Sequence, residues 1–240
     1  MAHRWLAFSI LLFLVFAGSY SAQVRRLDIP TLINKLDDKT EYDTKFASTR
    51  LVRLGRRVIA PIISSLKERD GCNFKLNAAE VIRKIDPKQE IVKTALYEVA
   101  TYKCGHKLSG TLSDKHDFIL NVHAASILVA EVDGGISLVA EFFSNEDDSL
   151  RFNAAFAFLG LAERMDSKQP QWATPKPLKP EMINAMKAAI PVLVKALDDK
   201  DEIVRCRTYA ALWRMQRSVH KELGIEAYRV LEGVADRCPK

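Results

Sequence analysis

The sequence predicts an all-α protein, an α-solenoid of about five helical hairpins closed by a C-terminal capping helix. Two segment types alternate along the chain, each with apolar residues at helical spacing. Proline stands early in the first type, and small alanine pairs stand inside the second. Glycine is sparse, 10 in 240 residues, which disfavours a sandwich or barrel built on tight turns.

The first segment type opens the array as Ile29-Pro-Thr-Leu-Ile-Asn-Lys-Leu36. It returns as Ala60-Pro-Ile-Ile-Ser-Ser-Leu66 and Ile190-Pro-Val-Leu-Val-Lys-Ala-Leu197, and more loosely as Gly135-Ile-Ser-Leu-Val-Ala-Glu-Phe142. An early proline costs a helix nothing, because first-turn N–H groups have no intrahelical acceptor. Asp28 is placed to cap the first copy.

The second type reads Phe74-Lys-Leu-Asn-Ala-Ala-Glu-Val-Ile-Arg-Lys-Ile85. Leu150-Arg-Phe-Asn-Ala-Ala-Phe-Ala-Phe-Leu-Gly-Leu161 and Val204-Arg-Cys-Arg-Thr-Tyr-Ala-Ala-Leu-Trp-Arg-Met215 align with it without a gap. Residues 43–54 and 120–131 are degenerate copies. The alanines let helices approach closely, and the larger apolar residues fill the space between layers.

Most plainly in Leu197-Asp-Asp-Lys-Asp-Glu-Ile-Val-Arg-Cys-Arg-Thr-Tyr-Ala-Ala-Leu212, the chain resembles HEAT-like repeat proteins. Its unit of about 31 residues is shorter than the usual HEAT repeat and is similar to the short HEAT-like repeats of phycobilin lyases. The resemblance covers most of the chain and implies an architecture but almost no chemistry. It also implies a polar ladder tying neighbouring units together. Lys75, Arg151 and Arg205 share one repeat position, with Asp147 and Asp201 four residues before the two arginines, a spacing that lets acid and base meet on one helical face.

Residues 220–236 read as the capping helix, with Leu223, Ala227, Val230, Leu231 and Val234 on its apolar face. Two insertions break the period. Residues 101–116 lie between the helices of the third hairpin, and residues 167–180, rich in proline, lie between two hairpins. Insertions on repeat proteins often carry binding roles.

The N-terminus reads as a secretory signal peptide over residues 1–22, leaving the solenoid domain as 23–240. Arg4 gives the positive n-region, Leu6 to Ala17 the apolar run, and Gly18-Ser-Tyr-Ser-Ala22 the small residues before cleavage, after Ser19, Ser21 or Ala22. An uncleaved anchor is the alternative, disfavoured because the run is short for a membrane span. No second apolar segment reaches that length, so no span is expected after cleavage. The expected location is secreted or periplasmic. Missing Asn-x-Ser/Thr sequons favour a bacterial origin. Loss of Arg4 takes the formal charge from +6 to +5, which permits an acidic partner without demanding one.

Four cysteines in an oxidising compartment suggest disulfides. Cys72 and Cys104 are 32 residues apart, as are Cys206 and Cys238, which favours these local pairs among the three connectivities. A buried free thiol at Cys206 is the competing reading. Cys104, His106 and His116 do not have a familiar zinc spacing, and no metal or other cofactor is expected. His123 reads as a packing or surface residue.

The candidate binding residues are of two kinds. Trp172 sits in the stiff segment bearing Pro170, Pro175, Pro177 and Pro180, and Trp213 on the last hairpin is either core or groove. Two basic sets, Arg50, Arg53, Arg56 and Arg57 together with Arg214, Arg217, His220 and Lys221, could meet an acidic polymer, although a solvated helix face is the plainer reading. No GxSxG, Walker, HExxH or GxGxxG motif occurs, and no His-Glu dipeptide of the iron-dependent HEAT-like hydroxylases. The chain is therefore expected to be a protein-binding or scaffold module rather than an enzyme. A polyanion binder and a motif-less lyase are the alternatives.

Overall fold

A computed structural model of the chain describes residues 28–38, 40–101, 112–166 and 178–232, without the side chains of 112–119. The signal peptide, Cys104, His106, His116, Trp172, Val234 and Cys238 lie outside the described residues.

Among the described residues the architecture is an all-α solenoid of five hairpins and a cap. Helix α1 (Ile29–Asn34), prolonged by a 3₁₀ turn, pairs with α2 (Glu41–Leu54). The next pairs are α3 (Ile59–Glu68) with α4 (Cys72–Ile85), and α5 (Glu90–Ala100) with α6 (Leu112–Glu131). They are followed by α7 (Gly135–Ala140) with α8 (Asp148–Met165), and α9 (Pro180–Ala196) with α10 (Glu202–Gln216). Helix α11 (Lys221–Glu232) packs against α9 and α10, burying Leu223 and Ala227.

Local chemistry sets the helix starts. Asp28 accepts from the Thr31 amide at 2.9 Å, as its position predicts. Asp147 accepts from the Ser149 amide at 2.8 Å, and Asp201 from the Ile203 and Val204 amides at 2.7 and 3.2 Å. These two acids are therefore N-caps rather than partners of Arg151 and Arg205 along the helix. The proline expectation also changes in one copy. Helix α9 begins at Pro180, so Pro191 lies inside it and leaves the Lys187 carbonyl without its helical donor. Pro180 takes the first-turn role, which shortens the second insertion at its end.

The core is continuous along the array. One position of the second helices is always small and fully buried: Ala47, Ala78, Ala124, Ala154 and Thr208. Large side chains such as Phe74, Leu128 and Phe158 fill the space this leaves. Gly135 shows the same demand at a helix start, since a Cβ there would fall 2.0 Å from the Leu128 carbonyl oxygen.

The polar ladder spans hairpins. Arg151, almost fully buried, donates from Nε to Asp199 of the next hairpin at 2.7 Å. Its Nη1 caps the Asn145 and Glu146 carbonyls at 2.8 and 2.9 Å, and Nη2 pairs with Asp148. Arg205 caps the equivalent carbonyls of Asp199 and Lys200 at 2.7 and 3.0 Å, and Thr44 reaches that of Asp38 at 3.1 Å. Lys75 bridges instead to Glu98 of the following hairpin at 2.6 Å and to Asp70 at 3.4 Å. Burial opposes the charge on Lys75, yet these carboxylates outweigh it and hold its pKa above the ordinary value.

Candidate binding surface

The second helices α2, α4, α6, α8 and α10 stand side by side, each packed on the next. Their exposed faces form one surface, and its two halves differ in chemistry.

Between α2 and α4 runs a groove of about 810 Å³, lined among others by Glu41, Lys45, Arg53, Asn73, Asn77 and Glu80. Its floor is set by amides: Asn73 donates to the Asp38 carbonyl at 3.3 Å and Asn77 to that of Leu36 at 2.9 Å. Asn153 repeats the second contact on Ala100 at 3.1 Å, so the device binds each of these second helices to an earlier first helix. Glu80 meets His123 of α6 at 3.0 Å and Lys84 at 3.3 Å. The His123 hydrogen bond, then the Lys84 charge, overcome partial burial and lower the Glu80 pKa to about 2. His123 is thus a surface residue with a defined partner. Arg83 pairs with Glu131, and Arg164 of α8 reaches the same carboxylate at 3.7 Å.

The half formed by α8 and α10 is aromatic. Phe152 and Phe156, one turn apart, stack with ring centroids 4.4 Å apart. Arg207 of α10 lies 4.6 Å over the Phe156 ring, and no acid pairs with it among the described residues. Trp213 is 43% exposed, which settles it as surface, and the Arg217 guanidinium covers its ring at 3.6 Å. Stacking pre-orders both arginines, which reduces the entropy they lose on meeting a ligand.

The structure separates the two basic sets. Arg50, Arg53, Arg56 and Arg57 belong to the first hairpin and its outgoing turn, and Arg50 lies 5.4 Å over Phe46. Arg214 and Arg217 belong to the last, where acids occupy them. Arg214 lies 3.3 Å from Glu163 and 3.4 Å from Asp166, and Arg217 pairs with Asp166, which is 1% exposed. Around that buried carboxylate the chain is clasped. Asp166 bridges Ser218, the Val219 amide donates to the Met165 carbonyl at 3.1 Å, and the Leu178 amide donates to His220 Nε2 at 3.0 Å. Residues 217–220 therefore hold both ends of the inserted segment that carries Trp172.

Neither Cys72 nor Cys206 is a free thiol, which removes the buried-thiol reading of Cys206. Among the described residues no three His, Cys, Asp or Glu side chains gather as metal ligands, and no helix is long and apolar enough to cross a membrane.

Glu80, Phe152, Phe156 and Arg207 were not singled out by sequence reasoning. The signal was present in the repeat alignment, where Phe156 falls at the position of Glu80. An aromatic at a position that another copy gives to an acid marks a surface position put to a different use.

No protein-family model matches the chain, and no curated protein matches it. Among solved structures it is similar to a designed armadillo repeat protein in complex with the peptide (KR)4, at 17% identity and a TM-score of 0.39, over 89% of this chain and 94% of that one. A second designed armadillo repeat protein gives 18% identity and a TM-score of 0.38 over the same shares. An engineered protein gives 18% and 0.37, over 85% and 95%. Scores this low leave the architecture resting on the chain's own helix order and packing.

Proposed function

We propose that this chain is an extracytoplasmic protein-binding scaffold whose second-helix face receives an extended segment of another protein. The observations that carry the reading are the Phe152–Phe156–Arg207 stack and the exposed Trp213 further along α10. Aromatics and a pre-ordered arginine are the side chains that most often anchor protein interfaces. Arg207 suits a carboxylate of the partner, and Trp213 suits an apolar side chain. The clasp at residues 217–220 fits a second contact made by the Trp172 segment.

The repeats are assigned to the short HEAT-like type on the segments quoted above. Residues 1–22 act as a cleaved signal, and no catalysis is assigned to residues 23–240. Cys72 pairs with Cys104 and Cys206 with Cys238, a reading supported by the absence of a free thiol at Cys72 and Cys206.

The test is a crosslinking capture from the extracytoplasmic fraction of the native host, with wild type, Trp213→Ala and Trp172→Ala as baits. A specific protein held by the wild type and lost with Trp213→Ala supports the helix face. Loss with Trp172→Ala alone moves the interface to the inserted segment. A second reading, polyanion binding, draws on Arg50, Arg53 and Arg57, which have no acid partner among the described residues. Heparin retention falling steeply with salt would support it and count against the first.

A further inference from the structure

We propose that His220 is a proton-operated catch between the start of α9 and the cap, closed while its imidazole is neutral and released when it takes a proton. The Leu178 amide, two residues before α9, donates to His220 Nε2 at 3.0 Å. A ring nitrogen accepts only while it carries no hydrogen, so this contact requires the neutral ring with its hydrogen on Nδ1. An imidazolium has N–H at both positions and sets donor against donor. Falling pH therefore opens the catch and rising pH closes it.

Both partners are held in place before they meet. The His220 amide donates to Ser218 Oγ at 3.1 Å, and its carbonyl accepts from the Gly224 amide at 3.0 Å as α11 begins. A Cβ at Gly224 would fall 2.9 Å from the Gln216 carbonyl oxygen, so α11 starts tight against the end of α10. On the other side the Leu178 side chain is half-buried against the core. The next carbonyl, of Lys179, accepts the Met182 and Ile183 amides at 3.0 and 3.1 Å. Packing thus aims the imidazole at an amide that has no other choice of direction.

The surrounding charges give the proton no compensation. From α8, Glu163 is engaged by Arg214, and Asp166 by Arg214 and Arg217, both of the adjoining end of α10. Helix α9 brings Lys179 and Glu181 at its start, and Lys187, which pairs with Glu222 of α11. Helix α11 adds Lys221, and its N-terminal end disfavours a further cation. Among the described residues no acid pairs with His220.

A second fastening at this corner does not titrate: the Val219 amide donates to the Met165 carbonyl at 3.1 Å. Opening the catch therefore frees the start of α9 while α8 stays fastened to the turn after α10. Lys179, Glu181 and Met182 form one wall of a cavity of about 530 Å³, opposite Val132, Asp133 and Ile136 of the turn between α6 and α7. The shape of that cavity then follows the protonation of a residue outside it. This inference holds whatever binds the second-helix face.

Hydrogen exchange and nitrogen-15 spectra of the intact labelled protein test it, at about pH 7.5 and about pH 5, on either side of the ordinary histidine range. At the higher pH the His220 ring should show a bare Nε2 and a protonated Nδ1. At the lower pH the Leu178 amide should lose about tenfold or more in protection, after correction for intrinsic exchange, while the Val219 amide keeps its own. His220→Gln supplies an acceptor oxygen at either pH and should hold Leu178 at both. His220→Ala should leave it weakly protected at both. A hydrogen found on Nε2 at the higher pH overturns the proposal, and so does a Leu178 amide equally protected at the two pH values. Those readings come from the wild type and stand even if a variant melts early. A His220→Gln protein that keeps the wild-type pH response overturns it too, assigning the response to another group.

Discussion

Arg151 and Asn121 occupy the same repeat position in successive hairpins and meet opposite fates. Arg151 is buried with every donor group used, two of its contacts being turn carbonyls five and six residues behind it. The residue six behind Asn121 is Lys115, which lies inside α6 because the insertion before it displaces the turn. Asn121 is fully buried, and neither atom of its amide has a hydrogen-bond partner among the described residues. Substitution should expose the difference. Arg151→Met leaves the buried Asp199 carboxylate without its cation, with only the Asp201 amide still donating to it at 2.9 Å, and should cost about 3–5 kcal/mol in urea denaturation; a loss under about 1 kcal/mol would show that the ladder is not structural. Asn121→Leu replaces an unsatisfied amide with an apolar side chain of similar size and should gain about 1–3 kcal/mol. A destabilised Asn121→Leu would mean that the amide has a role as it stands.

At the scale of the element, ion pairs between second helices tune how neighbouring hairpins hold together. Glu80 on α4 is kept ionised by His123 on α6, and its pKa falls from an ordinary 4.5 to about 2. The folded form thus binds a proton less readily than the unfolded chain. The stabilisation is fully present above about pH 4.5 and is lost as pH falls toward 2, to a total of about 2 kcal/mol once partial solvent screening is allowed for. Glu80→Gln should flatten the stability profile of the wild type between those pH values. Parallel profiles would show that the pair contributes nothing. Helix boundaries were legible to different degrees for equally local reasons. Asp28 announces its cap by standing before an apolar run, and the structure keeps it. Asp147 and Asp201 satisfied two rules at once, capping and four-residue pairing, and the free amides of the first turn won because they lie nearer than the arginine heads. Pro191 was misplaced as a helix start because nothing in its own segment shows that α9 already began at Pro180.

For the whole molecule, the hairpin order could be read because it repeats, and the aromatic surface could not because it does not. Phe156 and Arg207 are 51 positions apart and belong to different hairpins, so their stacking exists only once α8 and α10 lie side by side. The same nearest-neighbour logic governs stability. A linear array is held by the sum of its units and the contacts between successive ones, and it opens first where those contacts are poorest. The third hairpin is that place. Its ladder position is the unsatisfied Asn121, whereas the second has the Lys75–Glu98 bridge and the fourth the Arg151–Asp199 pair. Native-state hydrogen exchange should therefore show the amides of α6 opening at a lower free energy than those of α8 and α10. Asn121→Leu should narrow the gap, while Arg151→Met should move the weak point toward α8. If every core amide instead exchanges at one free energy that both variants shift together, the ladder acts on a single cooperative unit. The mismatch at Asn121 would then lower the stability of the whole chain without localising its opening.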